Sequence, residues 1–152
     1  LSKSNQIGDS SRLTLDGATF NTNGFDEDLG ALILNGTSTL DLGNGDSVIA
    51  FDENSLGWAA GQTFLVLNWS GSLSGGGTDQ IIFGSDSSGI SSTKLSQILF
   101  RNPDGLGAGD FGAQILGTGE VVPIPESSTY AIILCGVAAA YIFYRHRKQR
   151  AA

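Results

Sequence analysis

The chain has 152 residues, including 22 glycines and one cysteine, and its formal net charge is −7. This length accommodates one modest domain with an appendage, and a lone cysteine excludes an internal disulfide. All but one of the 15 acidic residues precede Val121, whereas half of the 8 basic residues follow it. Because an acidic body repels nucleic acid, we expect no nucleic-acid partner.

The start of the chain has neither an initiator methionine nor a charged, apolar leader, since it opens on Leu1. We therefore interpret the sequence as the C-terminal part of a longer protein. A missing signal peptide then says nothing about the compartment in which the protein works.

The first part of the body, residues 1–60, alternates short apolar runs with Gly, Asn and Asp, as in "RLTLDG", "GALILNG" and "DSVIAF". Alternating leucines such as Leu13 and Leu15 predict half-buried strands. The segments "SRLTLDG" and "STLDLGNG" superpose with Leu13 on Leu40, which is typical of stacked solenoid coils. We predict an all-β fold in which these coils form the end of a parallel β-helix.

The second part of the body, residues 61–122, has stronger apolar runs, such as "QTFLVLNW" and "DQIIFG". We interpret it as a capping β-rich segment, with Trp58 and Trp69 covering the last apolar layer. Ser92 or Thr93 can serve as an N-cap, which predicts one or two helical turns ending near Leu99.

Residues that could carry chemistry are few. There is no catalytic triad, phosphate loop or zinc spacing, so we expect no enzyme activity and no cofactor or metal. We interpret Cys135 as a packing residue and His146 as a solvated tail residue. The acidic runs "FDEDLG" and "GNGD" are interpreted as solvated turns, with a calcium site as the alternative. Trp58, Trp69 and Phe64 are interpreted as core residues, with a sugar-stacking platform as the alternative.

The segment "VVPIPESSTY" follows the body. Pro123 and Pro125 keep the chain extended and exclude a helix. Residues 123–129 are therefore predicted to form an exposed stalk of the kind that a protease active site accepts.

Residues 130–144, "YAIILCGVAAAYIFY", carry no charge and approach the minimum length of a transmembrane helix. A buried helix of a soluble domain is the alternative, but such a helix should have a polar face. The prediction depends on Tyr130, Ile132, Ile133, Leu134, Val137, Ile142, Phe143 and Tyr144.

A basic tail, residues 145–152, comes directly after this apolar run. Its charges are Arg145, Arg147, Lys148 and Arg150. By the positive-inside rule they place the C-terminus in the cytoplasm and the acidic body outside.

The order of a proline-and-glutamate motif, a short apolar run and an arginine-rich end resembles the PEP-CTERM sorting signal of Gram-negative bacteria. The motif region comprises Pro123, Pro125, Glu126 and Ser127, and Ser127 stands where the family has its second proline. The resemblance implies processing by an exosortase, which is a membrane protease. It also implies export, a transient single-pass anchor in the inner membrane, and release to the cell surface or the extracellular matrix.

The body, with "NQIGDSSRLTLDGATFNTNGF" and "LGALILNGTSTLDLG", resembles the autotransporter-associated β-strand repeats of large surface proteins. This second resemblance implies a right-handed parallel β-helix in a structural or adhesin-like protein. Extracellular polysaccharide is then a candidate partner.

Two alternatives remain open at this point. The first is a β-helix enzyme that degrades polysaccharide, with its catalytic residues upstream of Leu1. The second is a membrane-anchored interaction ectodomain that is never cleaved. This alternative stays open because Ser127 replaces the second proline of the motif.

Overall fold

The computed structural model describes residues 1–53 and 57–125. These residues form short strands and one helical turn. In chain order the elements are β1 Leu13–Leu15, β2 Thr19–Asn21, β3 Glu27–Leu29, β4 Leu32–Leu34, β5 Ser38–Asp41, β6 Val48–Phe51, β7 Phe64–Leu67, β8 Gln80–Phe83, α1 Ser92–Leu95, β9 Ile98–Arg101, β10 Asp110–Ile115 and β11 Val121–Pro123.

The strands are arranged in three sheets. One sheet has two strands, β1 and β4; another has three, in the order β3, β6, β8; the largest has six, in the order β11, β10, β9, β7, β5, β2. All pairs among β1 to β9 are parallel. The pairs of β10 with β9 and with β11 are antiparallel.

Buried apolar side chains form ladders along the two larger sheets. Leu40 on β5 lies opposite Val66 on β7, Val66 lies opposite Phe100 on β9, and all three are fully buried. In the three-stranded sheet, Phe51 lies opposite Phe83 and their ring centroids are 5.1 Å apart. Burial of one such side chain contributes about 1.5–3 kcal/mol, so these ladders are a main source of stability.

The two tryptophans pack against the same ladders. Trp69 is 2% exposed and meets Phe100 edge-on at a centroid distance of 5.6 Å. Trp58 is half-buried, its ring lies 5.8 Å from that of Phe64, and its indole N–H donates to the Leu32 carbonyl at 3.1 Å. Both indoles therefore lie against core side chains.

The turns that follow β2 and β5 touch each other at glycines. Gly24 has a φ of +77°, and a Cβ at this position would lie 2.7 Å from the Cα of Gly45. Only glycine adopts this backbone conformation readily and leaves room for the second turn. The close contact allows β2 and β5 to keep their parallel register.

The predicted right-handed parallel β-helix is wrong. The described strands form three open sheets with parallel and antiparallel pairs, and they do not close into a solenoid. The connections from β9 to β10 and from β10 to β11 are shorter than the dozen or more residues that a parallel crossover needs. The chain therefore reverses direction at these two points.

The predicted superposition of Leu13 on Leu40 as equivalent positions of stacked coils is also wrong. Leu13 pairs with Leu32 in the two-stranded sheet, whereas Leu40 belongs to the six-stranded sheet. The paired residues Phe64 and Ile98, on β7 and β9, are nearly twice as far apart in sequence as the paired residues Leu13 and Leu32, on β1 and β4. The chain therefore returns to its previous strand without a fixed period.

The helical turn α1 begins earlier and ends sooner than its sequence pattern predicts. Ser91 is the N-cap, and its hydroxyl accepts a hydrogen bond from the Lys94 N–H at 3.4 Å. Ile98 then starts β9 and lies opposite Phe64, where it is almost fully buried. Burial of Ile98 in the sheet overrides the weak helical pattern in this segment.

In residues 1–53 and 57–125, no helix is long and apolar enough to cross a membrane. The predicted localisation required a single-pass anchor in the inner membrane, and that part of the prediction is therefore not supported. The predicted span, residues 130–144, lies outside the described residues.

Candidate functional site

The predicted sorting motif begins inside β11, the last strand of the described residues. Pro123 is buried at the end of β11, opposite Ala113 of β10. The Ile124 N–H donates to the Gly112 carbonyl at 2.8 Å, while the Ile124 side chain is 45% exposed. Pro125 is half-buried and is the last described residue of the motif. Backbone pairing of the sheet therefore extends to Ile124.

The remaining predicted site residues lie outside the described residues. They are Glu126 and Ser127 of the motif, Tyr130, Ile132, Ile133, Leu134, Val137, Ile142, Phe143 and Tyr144 of the apolar run, and Arg145, Arg147, Lys148 and Arg150 of the basic tail.

A buried carboxylate joins the N-terminal segment to the three-stranded sheet. Glu27 on β3 is 2% exposed, and it accepts hydrogen bonds from the backbone N–H groups of Gln6 at 2.6 Å and Ile7 at 3.1 Å. Buried charge is costly unless it is hydrogen-bonded in this way. Glu27 therefore fixes the N-terminal segment, although the run "FDEDLG" predicts a solvated turn.

A second buried carboxylate joins two loops that precede sheet strands. Asp79 is fully buried; its Oδ1 accepts from the Ser47 N–H at 3.0 Å. Its Oδ2 accepts from the N–H and the hydroxyl of Ser70 at 2.7 and 2.8 Å. Both oxygens of Asp79 are therefore occupied within the protein.

Two aspartates, of which Asp26 is a candidate calcium ligand, are used in hydrogen bonds between neighbouring layers. Asp26 Oδ1 accepts from the Val48 N–H at 2.8 Å. Asp41 accepts from the side-chain amides of Asn21 and Asn68 at 3.0 and 2.7 Å. In the part of the chain that the structure describes, no three or more His, Cys, Asp or Glu side chains are grouped so that they could hold a metal ion.

The third buried carboxylate differs from the other two. Glu120 is 3% exposed, and its Oε2 accepts from the Gly76 N–H at 2.8 Å. Its Oε1 is buried and has no hydrogen-bond partner. Glu120 also forms a bridge with Ile82 of β8, so it lies where the three-stranded sheet meets the β10–β11 hairpin. An unpaired buried acceptor is uncommon, which makes Glu120 a candidate for ligand contact.

A cleft of about 350 Å³ opens at the same place. Its walls come from the glycine-rich turn after β7, from β8 and from the β10–β11 turn. The lining residues include Ser74, Gly76, Gln80, Ile82, Thr118 and Glu120. Its volume lies at the lower end of the range for small-molecule sites, and its wall combines polar side chains with the apolar surface of Ile82.

An exposed ion pair lies at the other end of the hairpin. Arg101 Nε and Nη2 donate to Asp110 Oδ1 and Oδ2 at 2.7 and 2.8 Å. This hydrogen bonding holds the pKa of Asp110 below its ordinary value and raises the pKa of the Arg101 guanidinium. Both side chains are well exposed, so the pair links β9 to β10 locally.

The buried carboxylates were missed by the sequence analysis because acidic residues beside glycines favour turns. A weak signal for burial does exist. Glu27 stands two positions before Leu29, and Glu120 directly precedes the apolar pair Val121 and Val122. Period-2 alternation places Glu27 on the same face as Leu29, which is the buried face.

Comparisons with protein-family models, with curated proteins and with solved structures find no match to this chain.

Proposed function

We propose that this chain belongs to a structural, non-catalytic protein of a bacterial surface or extracellular matrix. Its tail acts as a sorting signal of the PEP-CTERM type, and an exosortase-type protease processes it. The observation that carries the proposal is the order of three features in the sequence: the Pro125 and Glu126 motif, the uncharged run 130–144, and the basic end 145–152.

The position of the motif relative to the sheets supports the proposal. The described hydrogen bonds of the β10–β11 hairpin are made by residues up to Ile124. Cleavage after Pro125 would therefore leave every one of these bonds intact. A processing site immediately after a finished sheet allows the body to keep its fold after the tail is removed.

The body itself has features suited to a structural role. Its sheets are held by ladders of buried aliphatic and aromatic side chains and by carboxylates that bind backbone N–H groups of distant segments. Such bonds join layers that are far apart in sequence and stiffen them against one another.

The test is the mass of the mature C-terminal peptide, measured on protein from the producing cells. We expect extracellular protein that ends between residues 125 and 129. A Glu126→Ala variant should accumulate with Arg150 intact, and an exposed-site variant, Asp28→Asn, should be processed normally. If the wild-type protein retains Arg150 in every fraction, the tail is not a sorting signal and the proposal fails.

A further inference from the structure

We propose that the cleft beside Glu120 binds a small ligand through a primary ammonium group. The three buried carboxylates provide the first step of the argument. Glu27 and Asp79 each use both of their oxygens as acceptors of protein hydrogen bonds, whereas Glu120 uses only Oε2. A buried acceptor that lacks a donor destabilises the protein, and a bound donor recovers that cost.

The charge around Glu120 indicates which kind of donor fits. Among the described residues, Glu120 has no ion-pair partner. The hydrogen bond that its carboxylate accepts comes from the neutral backbone N–H of Gly76. A buried carboxylate is stabilised most by a cationic donor, because charge-assisted hydrogen bonds are about twice as strong as neutral ones. A ligand ammonium supplies both the charge and the donor.

The lining of the cleft offers acceptors for the other N–H donors of an ammonium group. An ammonium group has three N–H donors and no acceptor. The hydroxyls of Ser74 and Thr118 and the amide of Gln80 provide neutral oxygen acceptors in the same wall, and Ile82 provides apolar surface for a short carbon chain. At about 350 Å³, the cleft accommodates a small amine rather than a polymer segment.

The glycine turn after β7 packs against the Glu120 carboxylate. Gly75 and Gly76 have φ values of +86° and +68°, and a Cβ on Gly75 would lie 2.9 Å from Glu120 Oε2 and from Leu116 Cδ1. The turn is closed by hydrogen bonds from Gly75 to Ser72 and from Gly76 to Glu120. Consecutive glycines have the backbone freedom to shift when a ligand enters.

The experiment is a titration of the ¹⁵N-labelled full chain with ethanolamine at neutral pH, in which the amide chemical shifts are measured by NMR. Ethylene glycol, which replaces the ammonium with a hydroxyl, is titrated in parallel. We expect saturable shifts at Gly76, Ile82 and Thr118 with ethanolamine and none at those amides with ethylene glycol.

The variant Glu120→Gln keeps the size of the side chain and removes its charge. We expect its affinity for ethanolamine to fall at least tenfold, whereas Asp28→Asn, which removes an exposed carboxylate, should leave the affinity unchanged. If Glu120→Gln does not fold, the double variant Ser74→Ala/Thr118→Val replaces it, and its affinity should fall severalfold.

Three results would overturn the proposal. Equal shifts with ethylene glycol would mean that the cleft recognises hydroxyls. Shifts that survive Glu120→Gln, or Ser74→Ala/Thr118→Val where that variant is used, would mean general attraction to an acidic surface. An absence of saturable shifts at the cleft would mean that it holds no small amine. Each of these results is independent of whether the tail is processed.

Discussion

The parallel region, β1 to β9, and the antiparallel region, in which β10 pairs with β9 and with β11, are held together in different ways. In the parallel region, each strand pairs with one that lies a long loop away, and buried carboxylates such as Asp79 bind the backbone of distant segments. In the antiparallel region, neighbouring strands pair through short connections, and the charged contact between Arg101 and Asp110 is exposed. The parallel region therefore depends on non-local burial, and the antiparallel region depends more on local pairing.

The largest expected effect comes from removing a core ring in the parallel region. Phe83 is fully buried, stacks on Phe51 and lies 6.3 Å from Trp58. Phe83→Ala should lower the free energy of unfolding by about 3–5 kcal/mol, because it leaves a cavity. Urea unfolding followed by tryptophan fluorescence would measure this loss.

Phe111→Ala, in the antiparallel region, is the matched comparison for that variant. Phe111 is 7% exposed, so its truncation should cost less than that of Phe83. Leu73→Ala, at an exposed position, should change the unfolding free energy by less than about 0.5 kcal/mol. If Phe111→Ala proves as costly as Phe83→Ala, the two regions do not differ in their dependence on the core.

The next effect concerns buried carboxylates. Asp79→Ala leaves the N–H groups of Ser47 and Ser70 without their acceptors. We expect a loss of about 2–5 kcal/mol of unfolding free energy, since unpaired buried donors are costly. Urea unfolding would measure it, with Asp28→Ala as the exposed control. A loss no greater than that of Asp28→Ala would show that water replaces these bonds without cost.

A smaller effect is expected from the exposed ion pair of the antiparallel region. The hydrogen bond from Arg101 lowers the pKa of Asp110 in the folded protein. Because the pKa of Asp110 is lower in the folded than in the unfolded protein, the ion pair contributes fully to the free energy of unfolding above the unfolded-state pKa of aspartate. This contribution is lost as the pH falls through the folded-state pKa. The loss should therefore occur below about pH 4.

The check on this ion pair is the unfolding midpoint as a function of pH. Asp110→Asn should show a slightly flatter curve than the wild type below about pH 4, and salt should reduce the difference, because exposed pairs are screened. NMR titration of the Asp110 carboxyl carbon should give a midpoint below that of an unperturbed aspartate. A midpoint at or above the unperturbed value would contradict the effect of Arg101.

The smallest effect is expected from ending the chain after Pro125. The described pairing of β10 and β11 reaches only to Ile124, so we expect an unfolding midpoint close to that of the full chain. Ending the chain after Gly119 removes the buried Val121 and Val122 and should be strongly destabilising. If removal of residues 126–152 is as costly as removal of β11, the body needs its tail, and cleavage at the motif would unfold it.

Much of the local structure could be predicted because it depends on nearby residues. Alternating leucines correctly located strands such as β1 and β5, and Ser and Thr near position 92 indicated the one helical turn. Strand β3 was missed because two of its three residues are acidic and favour a turn, and only Leu29 is apolar. The candidate cleft could not be predicted, because its walls come from three segments that only the fold brings together.

The sequence by itself determined where short strands and turns form and how the charge is divided between body and tail, since these follow from side-chain alternation and composition. Only the tertiary structure decided that Leu13 pairs with Leu32 rather than aligning with Leu40, and that the sheets stay open. It also decided that Glu120 is buried with one unpaired oxygen. The physical reason is that strand partners and carboxylate burial depend on backbone groups supplied by distant segments, whose positions are set by loop lengths and packing.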